Sequence, residues 1–194
     1  MGDNRTTIAL KAELLQRLEI VSLQQAIFPD PETAIDKIVL ALEDINPTPQ
    51  PLNSNDLWGE WELIYASRGT VVTRQLVTIP DWMGIKINRV WQNLTIDNEN
   101  KINTSNCALI SLPVWGEWKV QADGKWFGDE DEKTAMVSFN AFSLQATQPF
   151  ALPELKIPVL EFFRNEAVWI TSYLDEEIRI GRGATGHLFV FRRK

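Results

Sequence analysis

"TSYLDEEIRIGRGATGHLFVFRRK", residues 171–194, ends the chain, and its reading decides the fold. Two runs of alternating apolar residues, "EIRI" (177–180) and "HLFVF" (187–191), flank the glycine-rich "GRGATG" (181–186), behind the carboxylate cluster Asp175-Glu176-Glu177. The glycine segment matches neither a Walker A pattern nor a dinucleotide fingerprint. It also joins two strands, whereas a phosphate cradle feeds a helix N-terminus. It therefore reads as a hairpin turn whose glycines supply positive φ. The carboxylates do not read as an acid–base pair, because adjacent residues on a strand point to opposite faces. Asp175 is expected to be structural, accepting from backbone N–H groups or pairing with Arg179 or Arg182, and so fixing the register of the closing hairpin.

Working upstream, the same period of two recurs. In "GEWELIYAS" (59–67), Trp61, Leu63 and Tyr65 alternate with Glu60 and Glu62, the pattern of a half-buried strand. Further strands are expected near 70–78, 85–96, 101–112, 117–127, 134–145, 167–174, 176–182 and 186–193. Turn chemistry in "PDWMG", "DNEN", "ADGK" and "GDEDEK" separates several of them. Asp123-Gly124 carries a hairpin signal. Roughly eight or nine short strands without helical periodicity between them predict an antiparallel, mainly β unit, closed or nearly closed so that no long edge is exposed.

The first fifty residues have a different period. Leu10, Leu14, Leu15, Leu18 and Val21 recur at helical spacing against Lys11, Glu13, Arg17 and Glu19. A second helix is signalled by Asp30 as cap, Pro31 in the first position and Glu32 on the dipole. Its stripe is Ile35, Ile38, Val39, Leu42 and Ile45, and prolines at 47, 49 and 51 end it. The expected organisation is a two-helix extension over 1–50, a Pro/Asn-rich linker over 51–57 and a β-barrel over 58–194. The helices are expected to cap an open end of the barrel, with docking on a membrane surface or a partner groove as the other use of such a stripe.

Composition excludes several functions. A net charge of −7 opposes wrapping of nucleic acid, which needs a basic field. The single cysteine, Cys107, allows no internal disulfide and no cysteine-based zinc site, and in an apolar strand its thiol is a poor nucleophile. His187 is the only histidine and has no nucleophile-elbow motif to serve, so neither a catalytic residue nor a metal ligand is assigned. No apolar run reaches bilayer-spanning length.

"GEWELIYAS", beginning near the proline-rich boundary, and "YLDEEIRIGRGATGHLFVF" (173–191) together resemble the opening and closing signatures of the plastid lipid-associated protein family, the plastid fibrillins. "VWQNLTI" and "ELKIPVL" agree loosely, and the resemblance covers about residues 30–194. It implies a lipocalin-like antiparallel barrel in which Gly59 and Trp61 stand for the Gly-x-Trp motif, with Asp175, Arg179 and Gly183 in the closing signature. In that motif an arginine from a late strand stacks on the tryptophan, and Arg179 and Arg192 are the candidates. The resemblance also implies lipid, prenylquinone or carotenoid binding at photosynthetic membranes or lipid bodies, with no catalysis and no cofactor. The opening residues lack a transit-peptide layout, which suits a cyanobacterial member in the cytoplasm or at the thylakoid periphery, or a mature plastid chain.

Eight Trp and nine Phe supply the means. Trp61, Leu63, Tyr65, Trp91, Trp118, Phe139, Trp169, Tyr173 and Phe189 are candidates for an inward, ligand-binding face, with Arg179 or Arg182 near a mouth for a polar head. Ordinary close packing is the competing explanation for each aromatic residue. A long apolar molecule is the favoured cargo: each buried methylene contributes ~0.8 kcal/mol, so a ten-carbon tail yields on the order of 8 kcal/mol before ordering costs. Two other functions fit a barrel of this size, a lyase or chaperone for a bilin and a structural coat or adaptor with a filled interior. Peripheral membrane contact is compatible with all three.

Overall fold

The computed structural model describes residues 2–19, 33–67, 84–99, 101–157 and 167–194. Two helices, α1 (Gly2–Glu19) and α2 (Thr33–Asp44), precede two 3-10 turns at Pro51–Asn53 and Asn55–Leu57. The strands are β1 (Gly59–Ala66), β2 (Lys86–Ile96), β3 (Ile102–Leu112), β4 (Gly116–Gly128), β5 (Thr134–Gln148), β6 (Leu155–Ile157), β7 (Ala167–Leu174), β8 (Ile178–Gly183) and β9 (Leu188–Arg193). The strand expected near 70–78 and the cap at Asp30–Glu32 lie outside the described residues.

All pairings are antiparallel, and they close a ring: β1–β2–β3–β4–β5–β7–β8–β9 and back to β1, with β6 added to the far half of β5. Closure satisfies the edge groups that an open sheet would expose. The last hairpin is as expected. Gly183 N donates to His187 O (3.0 Å) and Gly186 N to Gly183 O (2.8 Å), with Gly186 at φ +78°.

Asp123-Gly124 is not a turn. β4 runs straight through it, and the dipeptide sits where the register against β5 shifts by one residue. A Cβ at position 124 would lie 2.5 Å from Ser138 O, so this glycine permits a close backbone approach at a bulge. Asp123 meanwhile accepts from Ser105 Oγ and Gln121 Nε2 on the outer face.

Two more bulges decide which aromatics reach the interior. The β1–β9 register shifts between Leu63 and Tyr65, and the β7–β8 register between Thr171 and Tyr173. Each extra residue reverses the alternation. Trp61, Leu63 and Trp169 therefore belong to the inner cluster, but Tyr65 and Tyr173 pack outside with the helices; the next residues, Ala66 and Leu174, return inward.

The helices cap neither end. Leu14, Leu18, Ile35, Ile38, Val39 and Leu42 pack against the outer wall at Tyr65, Tyr173, Ile178, Ile180, Leu188 and Val190. Burial of each leucine or isoleucine contributes ~1.5–3 kcal/mol, which is what holds short helices in place. Polar ties flank this seam. Lys11 Nζ meets Asp175 Oδ2 at 2.7 Å and Glu177 Oε2 at 3.2 Å, and Arg182 grips Glu43 through two 2.7 Å bonds. Asp175 also accepts from Tyr173 OH and from the amides of Glu177 and Ile178. The closing-hairpin carboxylate is thus structural, but its cationic partner is Lys11 of α1 and not Arg179 or Arg182.

Residues 51–57 form one end of the barrel and not a free spacer. Leu52 and Leu57 are buried in the inner cluster, Leu52 N donates to Glu132 O (3.0 Å), and Trp61 Nε1 donates to Leu57 O (2.8 Å).

Candidate functional site

The interior has two unlike halves. At the floor, above the 3-10 turns, Leu52, Leu57, Trp61, Leu63, Leu94, Ile102, Trp126, Val137, Leu174 and Phe191 are buried together. Trp169 is tied to them by ring contacts with Trp126 (5.9 Å) and Phe191 (6.0 Å), and to Phe189 at 5.2 Å. Its ring lies over Gly181: a Cβ there would sit 1.9 Å from Trp169 Cζ2, so only glycine leaves room.

Toward the opposite end the inner face stays apolar, but its side chains are less completely buried. Register carries the inward phase from Trp126 through Val120 and Trp118 on β4, and across to Ile110 on β3 and Phe142 and Leu144 on β5. These side chains, with Phe139, Trp169 and Phe189, are only half-buried. Phe139 and Phe142 meet as tilted rings at 6.3 Å, which links the two halves. The adjoining loops expose Val114 and Trp115 after β3, and Phe150 and Leu152 after β5, with Leu155 on β6. An apolar rim therefore borders this mouth.

Two arginines meet the floor tryptophan, and they differ. Arg193 lies 4.3 Å from the Trp61 ring, and carbonyl oxygens occupy its donors: Glu176 O (2.7 Å), Trp58 O (2.7 Å) and Asp56 O. Gly59, at φ +121°, has its Cβ position 3.2 Å from Arg193 Nη1, so β1 begins on a glycine to admit this arginine. Arg193, and not the exposed Arg192, is the carbonyl-bonded cap on Trp61.

Arg179 lies deeper. It is fully buried among the rings of Phe191 (4.5 Å), Trp61 (5.3 Å), Trp126 (5.8 Å) and Trp169 (5.9 Å). Its Nη2 donates to Gln92 Oε1, while Nε and Nη1 have no hydrogen-bond partner; neither does the nearby Trp126 Nε1. Among the described residues no carboxylate stands within ion-pair distance of it. Burial, with a smaller push from the Arg193 charge, lowers its pKa from 12.5 to about 9, which leaves it cationic at neutral pH.

The structure thus gathers Trp61, Leu63, Phe139, Trp169, Phe189 and Arg179 in the interior, and places Trp118 at the mouth, where its Nε1 donates to Trp115 O (3.0 Å). Tyr65 and Tyr173 face the helices. Trp91 is on the outer wall, between Arg89 (4.5 Å) and Lys119 (5.8 Å). Arg182 is held by Glu43 on the helix side. Cys107, beside Gln121 on the outer face, has its thiol pushed up to about 11, mainly by burial, which removes it as a nucleophile. Trp126, Phe191, Phe142 and Gln92 escaped sequence reasoning. Unbroken alternation from Trp118 would have found Trp126, but reading Asp123-Gly124 as a turn interrupts that count.

A closed antiparallel ring with a tryptophan–arginine floor and an apolar, less completely buried opposite end defines a small β-barrel protein. Residues 9–192 match the PAP_fibrillin family model, and the chain belongs to that family. It is similar to the probable plastid-lipid-associated protein 5, chloroplastic, of Arabidopsis thaliana, 27% identical over 94% of this chain and 68% of the relative. It is also similar to the probable plastid-lipid-associated protein 8, chloroplastic, of the same plant, 26% identical over 75% of this chain and 55% of the relative. The chain thus spans about two thirds of one relative and about half of the other.

Proposed function

We propose that this protein binds and carries one hydrophobic molecule of the lipid, prenylquinone or carotenoid kind, without catalysing a reaction on it. The half-buried apolar lining above the floor is the observation that supports this reading most directly. A barrel built only for stability would bury Phe139, Phe142, Leu144 and Trp118 as fully as Trp61 and Leu94. The relatives' names, plastid-lipid-associated and chloroplastic, agree with a lipid role and suggest a plastid setting. The rim of Val114, Trp115, Phe150, Leu152 and Leu155 suits peripheral contact with a membrane or lipid body, where cargo would pass directly between bilayer and mouth. A fluorescent fatty probe titrated into the delipidated protein should bind saturably at about one per chain and be displaced by unlabelled lipid. Linear, non-saturable partition would remove the reading.

A further inference from the structure

Resting on the carrier reading, the buried Arg179 bears on the head of the cargo. Arg179 is a guanidinium with no water-facing surface and, among the described residues, no carboxylate beside it; a single neutral amide answers it. That amide is fixed: Gln92 Nε2 donates to Asn106 Oδ1 (2.6 Å), which turns Gln92 Oε1 toward the arginine. The four aromatic rings satisfy the faces of the guanidinium through its charge, but a ring face accepts nothing from the in-plane N–H groups. Nε and Nη1 therefore remain open, and the orphaned Trp126 Nε1 belongs to a ring only 5.8 Å from the guanidinium carbon. Of the four buried side-chain polar atoms without a partner among the described residues, three fall on these two neighbouring side chains, whereas a buried polar group ordinarily finds a partner.

The role that commonly justifies an arginine over this tryptophan is already filled. Arg193 stacks closer on Trp61 and spends its donors on three backbone carbonyls that pin the floor. Arg179 adds a second positive charge nearby without closing any loop, and the two repel.

We propose that Arg179 and Trp126 form a head-group site, and that the physiological cargo is an acid-headed amphiphile whose carboxylate sits on these donors while its aliphatic tail runs past Phe139 and Phe142 to the mouth. An anion is required rather than a ketone or quinone oxygen, because only an anion cancels the buried charge; a neutral acceptor is already present in Gln92 and leaves the charge standing. A monoanion is required rather than a phosphate dianion, because among the described residues Arg179 is the one cation of the floor without a carboxylate or carbonyl partner, and each nitrogen of Arg193 already donates to a carbonyl. No covalent step is involved.

The test compares oleate with methyl oleate, two probes with the same tail, in displacement of a bound fluorescent fatty probe from this chain. The acid should displace at least about tenfold more effectively than the ester, the size of a charge-assisted hydrogen bond. Arg179→Gln should abolish that preference while the ester still binds, and Arg179→Lys, which keeps the charge, should retain part of it. A second readout needs no variant: carboxyl-13C oleate bound to the native protein should stay ionised to lower pH than the same acid in detergent micelles. Equal displacement by acid and ester, or a bound carboxyl that titrates as in micelles, overturns the head-group site and leaves the carrier reading intact. Displacement by neither probe overturns both.

Discussion

The floor and the mouth of this barrel share the strands β3, β4 and β5 and an apolar inner face, yet they behave as different materials. At the floor, Trp61, Leu57, Leu94 and Leu174 are fully buried and the 3-10 turns seal the end. At the mouth, Ile110, Trp118, Val120, Phe142 and Leu144 are equally apolar but incompletely covered. What separates the halves is what lies across the ring. The floor receives plugs from Leu52 and Leu57 and a cap from Arg193, whereas the mouth receives none from the described residues. Apolar lining thus serves stability at one end, and at the other it is the part of the interior on which the proposed carrier role rests.

This contrast breaks most decisively at Trp61. Trp61→Ala removes a fully buried indole and its bond to Leu57 O, and should lower unfolding free energy by ~3–5 kcal/mol in chemical denaturation. Gly181→Ala sharpens the same point with less material. The added methyl must displace the Trp169 ring, at a cost of ~1–3 kcal/mol. At the mouth, Leu144→Ser should change stability by less than ~1 kcal/mol while weakening probe binding. A large stability loss there would mean that the two halves are one packed core.

How much of this was legible beforehand depends on where one residue was inserted. The barrel follows from period-two alternation, and the final hairpin from glycine chemistry in "GRGATG". Bulges are a different matter. Nothing in "ELIYAS" or "ITSYLD" announces the extra residue that turns Tyr65 and Tyr173 outward, because a bulge is a relation between two strands and not a property of one. Trp91 was misplaced for a different reason: its size suggests burial, whereas Arg89 and Asn93 on the same face are polar, and the Arg89–Glu60 and Arg89–Glu62 pairs beside it mark the outside. Arg179 was visible as a residue, but its isolation from the carboxylates of the described residues is a three-dimensional fact.

The outer wall supplies the second comparison, between barrel and helices, and a smaller effect. Arg182→Ala frees Glu43 and one end of α2, and should cost about 1 kcal/mol because the pair is partly exposed. The tie between α1 and the barrel should respond to pH. Burial alone would raise the pKa of Asp175, but bonds from Lys11, Tyr173 and two amides outweigh it and hold it below the ordinary carboxylate range. The contribution of Asp175 is therefore complete above its unfolded pKa and fades as pH falls through the lower folded value. Burial likewise opposes the Lys11 charge, and Asp175 with Glu177 overcomes that to raise its pKa, so its contribution is lost only as pH rises beyond the ordinary lysine range. Amide exchange in α1 should accelerate below about pH 4, before the floor strands open, and Lys11→Met should remove most of that pH step. If α1 and β1 instead lose protection together in acid, the helices and the ring are a single cooperative unit, and the carboxylate is not the latch between them.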